Sequence, residues 1–307
     1  MKPGFCLLAV LLSVVPCPGQ GISFQTGDGT LRLSHAGAFI GDFVFRDERI
    51  GRPFFANLRT PDETQVTRTH PPRTGKDLED HATMHPGLWL GFGDINGDDF
   101  WRNKARMEFD GFERKPAAQD GALRFTTRHR LVGNQGLPLG TLDSRVTLQE
   151  IPQAFLIIWD ATCTAGNAGM VFGDQEEIGF GARLATPLIE TNGGTITQST
   201  GKKTAKGTWG QPADWADYSG LTDGKPAGIT LMASPGNFRK SWWHNRDYGL
   251  MVANPFGRQA MKQGAKSAVP LKPGETLRLT FGAALHQGKG YEPGKAYEAF
   301  LKATGTP

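Results

Sequence analysis

Cysteine is scarce in this 307-residue chain: Cys6, Cys17 and Cys163 are all it has. The first two fall in an N-terminal stretch that reads as a secretory signal. Lys2 is a short basic start, Phe5 to Val15 is an apolar run, and Pro16, Pro18 and Gly19 break it. Small residues at Cys17, Gly19 and Gly21 place cleavage near residues 19–21. Residues 1–20 are therefore expected to be a signal peptide and 21–307 a single β-sandwich domain, secreted or periplasmic. Pro16 stands where a lipoprotein signal wants a small residue, which argues against a lipid anchor at Cys17. With Cys163 alone in the mature chain, no internal disulfide forms, and stability must come from the size of the core. Cys163 ends the apolar run AFLIIWDATC and reads as a buried structural thiol.

Long apolar runs are also missing. Phe5–Val15 is too short for the roughly 20 residues of a spanning helix, and no other stretch is longer, so no membrane association is expected after signal removal. An excess of one charge is missing too: 34 Lys and Arg face 30 Asp and Glu. The densest basic group, Lys202, Lys203 and Lys206, has no aromatic residues interleaved, so a nucleic-acid partner is not expected. G-x-S-x-G, Walker, H-E-x-x-H and zinc-ribbon patterns do not occur, which lowers serine-hydrolase, nucleotide and zinc-protease readings.

Glycine and proline are abundant. The 41 Gly and 20 Pro make up about a fifth of the chain, against about an eighth in average usage. They are not periodic, which excludes a collagen-like chain, and so many helix breakers exclude a helical bundle. Seven Trp and 19 Phe supply too much core material for a disordered one.

Period-2 alternation points to strands. In Leu123–Leu131, Leu123, Phe125, Thr127, His129 and Leu131 share a face; Leu277–Leu285 behaves likewise. Ser144–Gln149, Thr30–Ser34, Ala38–Phe45, Leu88–Phe92, Ala154–Cys163, Ile229–Ala233 and Leu250–Asn254 are further candidates. A terminal helix is predicted after Pro293, with Ala296, Ala299, Phe300 and Ala303 on one face. The expected fold is all-β, one large antiparallel β-sandwich with a short C-terminal helix. Residues 60–80 read as a long polar loop, a kind of segment that often carries function.

Four polar clusters could carry chemistry. The first, Asp80–Asn103, contains His81, His85, Asp94, Asn96, Trp101 and Arg102. His81 and His85 have a metal-ligand spacing only on a helix, and Pro86-Gly87 argues against one. The Asp94-x-Asn96-x-Asp98 run departs from a calcium loop at its sixth and twelfth positions and reads better as an Asx turn. The second cluster holds Glu176, Glu177 and Arg183; on a strand, the adjacent carboxylates would face opposite ways. The third, Trp209–Tyr218, brings Trp209, Trp215, Asp217 and Tyr218, aromatic faces and carboxylates that suit sugar rings. The fourth contains His244, Arg246 and Tyr248. His244 could act as a general acid or base, and Arg246 could hold a carboxylate or carbonyl.

These stretches resemble a known family. HATMHPGLWLGFGDINGDDFWRNKAR, the E-x-G-x-x-x-R element at Glu177, Gly179 and Arg183, TWGQPADWADYSG, SPGNFRKSWWHNRDYGLMVANPFG and LKPGETLRLTFGAALHQG are similar to secreted bacterial proteins labelled "methane oxygenase PmoA", a domain of unknown function. Many relatives have a compact D-H-x-H-H-R-G-L-W form; here the second histidine's place falls to His81 or His85. The label fits the residues poorly. Membrane methane oxidation needs several spanning helices, and this chain has no convincing His-rich copper site. The resemblance implies instead a galactose-mutarotase-like supersandwich and a saccharide ligand.

The reading is a secreted carbohydrate-active protein, a hydrolase, lyase or epimerase. His85, His244 and Glu177 would be the acid/base residues. His81, Asp94, Asn96, Trp101, Arg102, Arg183, Trp209, Trp215, Asp217, Tyr218, Arg246 and Tyr248 would bind a saccharide or other small polar substrate. No cofactor or metal is called for. The alternatives are a non-catalytic carbohydrate-binding module and a divalent-metal enzyme using His81 and His85. Convergence of His85, Glu177 and His244 in one pocket separates catalysis from binding alone.

Overall fold

A computed structural model describes residues 21–306, so the predicted signal peptide lies outside the described residues. Two eight-stranded sheets form the body, and every strand pairing between named strands is antiparallel. In spatial order the first sheet holds β1 (Ile22–Thr26), β2 (Thr30–His35), β3 (Ala38–Val44), β4 (Phe54–Ala56), β5 (Leu88–Gly91), β11 (Gly179–Arg183), β16 (Leu250–Asn254) and β15 (Trp242–Arg246). The second holds β12 (Thr195–Gln198), β13 (Trp215–Thr222), β14 (Lys225–Ala233), β18 (Thr276–Gln287), β9 (Ala154–Ala165), β8 (Pro138–Ile151), β7 (Ala122–Val132) and β6 (Arg106–Gln119). A small ribbon pairs β10 (Met170–Phe172) with β17 (Val269–Leu271). Among the described residues the α-helices are α1 (Ala205–Thr208) and α2 (Pro293–Thr304).

The predicted strand faces explain the sandwich. On β7, Leu123, Phe125, Thr127, His129 and Leu131 are all buried. On β18, Leu277, Leu279, Phe281, Ala283 and Leu285 join the same core. Burying that alternating face is the main stabilising term for a sheet. Aromatic rings join the two layers: Phe43 meets Trp159 edge-on at 5.9 Å, and Phe180 stacks on Phe281 at 5.3 Å. Cys163 is free and buried in this core, where burial pushes its thiol up to about 12.

The outer faces differ. On the second sheet, Ala296 and Phe300 of α2 cover Leu156, Ile158, Met232 and Ala284. Pro293 opens this helix and Gly305, in the left-handed region, ends it, as the sequence predicted for its start. On the first sheet, Trp89, Val252, Leu250 and Phe54 pack outward against Trp101, so the Asp94–Asn103 segment folds back over that face.

Candidate functional site

The outer face of the first sheet is set by register. Trp89, Gly181, Val252 and His244 stand side by side across β5, β11, β16 and β15. Arg183, Leu250 and Arg246 form the next row. Alternation therefore sends His244, Arg183 and Arg246 to one face, while Phe180, Met251 and Trp243 enter the core. Gly181 lets the Trp89 indole and the Val252 side chain close over β11. A Cβ there would stand 3.0 Å from both Trp89 Cζ2 and Val252 Cγ2.

Two buried arginines fasten the long polar loop over this face. Arg68 donates to the carbonyls of Leu78, Asp80 and His85 at 2.7, 2.7 and 3.0 Å. Arg52 donates to the carbonyls of Trp101 and Met84. Burial lowers Arg52 to about 9 and Arg68 to about 10, so both stay charged at neutral pH. Neither was singled out from sequence. Their signal is weak, because an arginine beside a strand normally lies at the surface.

The loop delivers the first arm of the cluster. Arg183, 1% exposed, donates to Asp80 with both terminal nitrogens, at 3.0 and 2.7 Å. Its Nη1 also lies 3.2 Å from His85 Nδ1, and its guanidinium covers the Tyr248 ring at 4.6 Å. Burial, reinforced by Arg183, His81 and the other arginines, drives His85 well below the usual imidazole range. Neutral His85 thus accepts from Arg183 at Nδ1. Partial burial works to raise Asp80, but hydrogen bonds from Arg183 and His81 and the arginine charges outweigh it and hold it near about 2.

Pro86-Gly87 argues against a helix here, and none forms: residues 81–84 make a turn closed by the His85 amide donating to the His81 carbonyl at 2.8 Å. The two imidazoles stack at 4.9 Å, and His85 lies flat on Trp89 at 5.4 Å.

The second arm gathers around Glu176. Trp209 Nε1 donates to Glu176 Oε1 at 3.0 Å, and Arg246 Nη2 donates to the same oxygen at 2.5 Å. His244 Nδ1 is 2.7 Å from that oxygen, off the hydrogen-bond axis. Half-burial raises Glu176, but His244, Arg246 and Trp209 together lower it below the usual range. Trp209 and Arg246 line a cavity of about 340 Å³ with Lys206 and Asp247. Tyr248 stands between the arms. Burial raises its phenol, while Arg183 and Asp80 on one side and Arg246 and Glu176 on the other all act on it.

Other predicted site residues lie elsewhere. Glu177 was grouped with His244, but its carboxylate accepts from Arg102 at 2.7 Å, and Arg102 also holds Asp99. The two glutamates diverge in the bend before β11, and it is Glu176 that meets His244. Asp94 accepts from the Gly97 amide in an Asx turn, and Asn96 pairs with the backbone of Val171 and Gly169. Trp101 is buried edge-on against Trp89 and His85. Trp215 packs near α2 on the other sheet, and Asp217 is buried there with His286. Tyr218 points into the sandwich, where its hydroxyl accepts from the Glu190 amide and donates to the Asp247 carbonyl. It buttresses the turn after Arg246 from below.

A metal fits this arrangement poorly. Asp80, His81 and His85 have ligand atoms within 4.8 Å of one another. Yet both Asp80 oxygens and His85 Nδ1 already face the Arg183 guanidinium. A divalent cation would have to displace that charge.

The fold and the cluster define an antiparallel two-sheet protein with a His-, Arg- and aromatic-rich outer face. The chain belongs to DUF6807, a family of unknown function, whose model matches residues 30–300. No curated protein matches it by sequence. Among solved structures, it is similar to a galactose mutarotase related enzyme from Lactobacillus acidophilus, at 9% identity and a TM-score of 0.38, covering 86% of this chain and 97% of that one. It is also similar to galactose 1-epimerase from Lactobacillus acidophilus NCFM, at 9% identity and a TM-score of 0.41, covering 88% and 100%. A GH36 alpha-galactosidase from Geobacillus stearothermophilus matches at 11% and 0.38, over 87% of this chain and 41% of that one. These likenesses are loose and carry nothing about chemistry. No helix of the described residues is long and apolar enough to cross a membrane.

Proposed function

We propose that the protein is a secreted carbohydrate-active enzyme that moves a proton on a saccharide, as a lyase or epimerase does, at the face around Tyr248. The observation that carries this reading is the pair of arms flanking Tyr248, Asp80–Arg183–His85 and Glu176–Arg246–His244. Each arm joins an imidazole to a carboxylate and an arginine. Hydrolysis by two carboxylates needs one of them kept protonated. Asp80 is held ionised chiefly by Arg183, and Glu176 by His244, Arg246 and Trp209, which disfavours that route. Proton transfer then falls to His85, His244 and Tyr248. The exposed edge of Arg246 suits a carboxylate or carbonyl of the substrate, and Trp209 offers a ring face beside it. Oxygenase chemistry has no part in this reading.

Purified mature protein incubated with a panel of neutral and acidic glycans tests it, read by new ultraviolet absorbance for elimination and by anomeric NMR for epimerisation. The expected result is turnover of at least one glycan, lost in His244→Ala. Turnover unchanged in that variant would sink the mechanism.

Binding without chemistry is the second reading. His244 lies two strands from Gly181, about 10 Å at the usual spacing, and His85 stacks on the indole that covers Gly181. The two imidazoles thus flank Tyr248 without touching, and Glu177 turns away to Arg102, so the expected convergence of His85, Glu177 and His244 is not met, which favours this second reading. Saturable glycan binding with no turnover would favour this module.

A further inference from the structure

The outer face of the second sheet holds another polar centre. Thr195, Ser219, Gly228 and His286 stand in register across β12, β13, β14 and β18. Gly228 provides the gap that His286 crosses, since a Cβ there would come within 2.6 Å of His286 Nε2. Beyond it, Nε2 lies 2.9 Å from Asp217 Oδ1. Asp217 is 6% exposed and also accepts from the hydroxyls of Thr230 at 2.6 Å and Ser219 at 2.8 Å. Tyr291 stacks on His286 at 3.8 Å and 2°, with its hydroxyl 2.8 Å from that of Thr230.

An ionised carboxylate on one imidazole nitrogen fixes the tautomer and leaves the other nitrogen as an acceptor. Here that other nitrogen, His286 Nδ1, is buried and has no partner among the described residues. Buried polar atoms are normally paired, so such a nitrogen calls for a donor. Asp217, Ser219, His286 and Tyr291 also line a cavity of about 330 Å³, with Lys289 and Leu221 among its other residues. That is the small end of the range for small-molecule sites.

We propose that this cavity is a second ligand site, separate from the face around Tyr248, that takes a neutral polyhydroxylated molecule the size of one sugar ring. The lining is rich in acceptors and hydroxyls, which match hydroxyl donors. Asp217 repels an anion, and Lys289 is the single cationic residue of the lining. The site does not depend on the chemistry proposed above, because it lies on the opposite sheet.

Long-range proton–nitrogen NMR of the histidines in the mature chain tests this, with His286 assigned through His286→Gln. D-glucose, D-galactose and D-mannitol are titrated to millimolar concentration. At least one is expected to shift the His286 nitrogens saturably. Thr195→Trp, which fills the cavity from an exposed position, should abolish that shift without lowering the unfolding midpoint. Trp209→Ala, beside Glu176 in the loop after α1, should leave it in place. No shift with any of the three, a shift that survives Thr195→Trp, or one lost in Trp209→Ala overturns the proposal.

Discussion

Arg183 Nη1 stands 3.2 Å from His85 Nδ1 while the same guanidinium grips both oxygens of Asp80. One buried side chain thus fixes the histidine's tautomer, the aspartate's charge and the position of a long loop. Arg183→Ala should destabilise the protein by about 2–4 kcal/mol in urea unfolding. That is below the full cost of breaking a buried pair, because Asp80 can turn to solvent. Arg183→Lys should recover only part, since an ammonium cannot grip both oxygens in the same plane.

Acid should weaken the fold in two windows. His129 is buried with its pKa lowered to about 4, mainly by burial. The unfolded chain therefore takes up a proton near pH 6.5 that the native state refuses. Stability is full above that pH and falls as pH drops toward about 4, by up to about 3 kcal/mol. His129→Phe should make this slope shallower in unfolding curves measured between pH 7 and 4, leaving the share of His85 and His70, which burial also lowers.

Asp80 acts lower down. Its native pKa near about 2 is below the unfolded value, so its contribution is present above about pH 4 and disappears as pH falls through about 2. Asp80→Asn should remove the part of the acid transition between those values and leave the His129 window intact.

Glu176→Gln should uncouple the second arm without unfolding the protein, because the side chain is 29% exposed. It removes the anion shared by Trp209, Arg246 and His244. Saccharide turnover or binding is expected to drop at least about tenfold, the size of effect typical of an acid/base arrangement losing its partner. Glu177→Gln, which touches only the Arg102 pair, should cost far less. Equal losses in the two variants would refute the choice of Glu176.

Chelation should change nothing. Prolonged dialysis against EDTA is expected to leave glycan turnover and the unfolding midpoint unaltered, with metal analysis of the untreated protein well below one equivalent. A stoichiometric metal that stabilises the fold would show that Arg183 gives way to a cation.

Much of the sandwich was legible along the chain. β7, β18 and α2 lie where alternation and the Pro293 start placed them, because a face that must be buried leaves its period in the sequence. β6 went unread. Its pairing with β7 shifts register three times, and such bulges break the two-residue period. β11 was obscured by Gly179 and Gly181, which carry no hydrophobic signal but let the Ala253 backbone and the Trp89 indole approach closely.

The sequence by itself determined which residue types are present and that they cluster around turns: histidines, arginines, acidic residues and aromatics in four stretches. Only the tertiary structure decided which of them meet. Neighbours along a strand point to opposite faces, so Trp215–Tyr218 could not converge as a group: Tyr218 entered the core and Asp217 the far side of the second sheet. Trp209, outside that strand, joined Glu176 instead. Partners such as Asp80 and Arg183, 103 positions apart, are brought together by strand order and register, which no local pattern encodes.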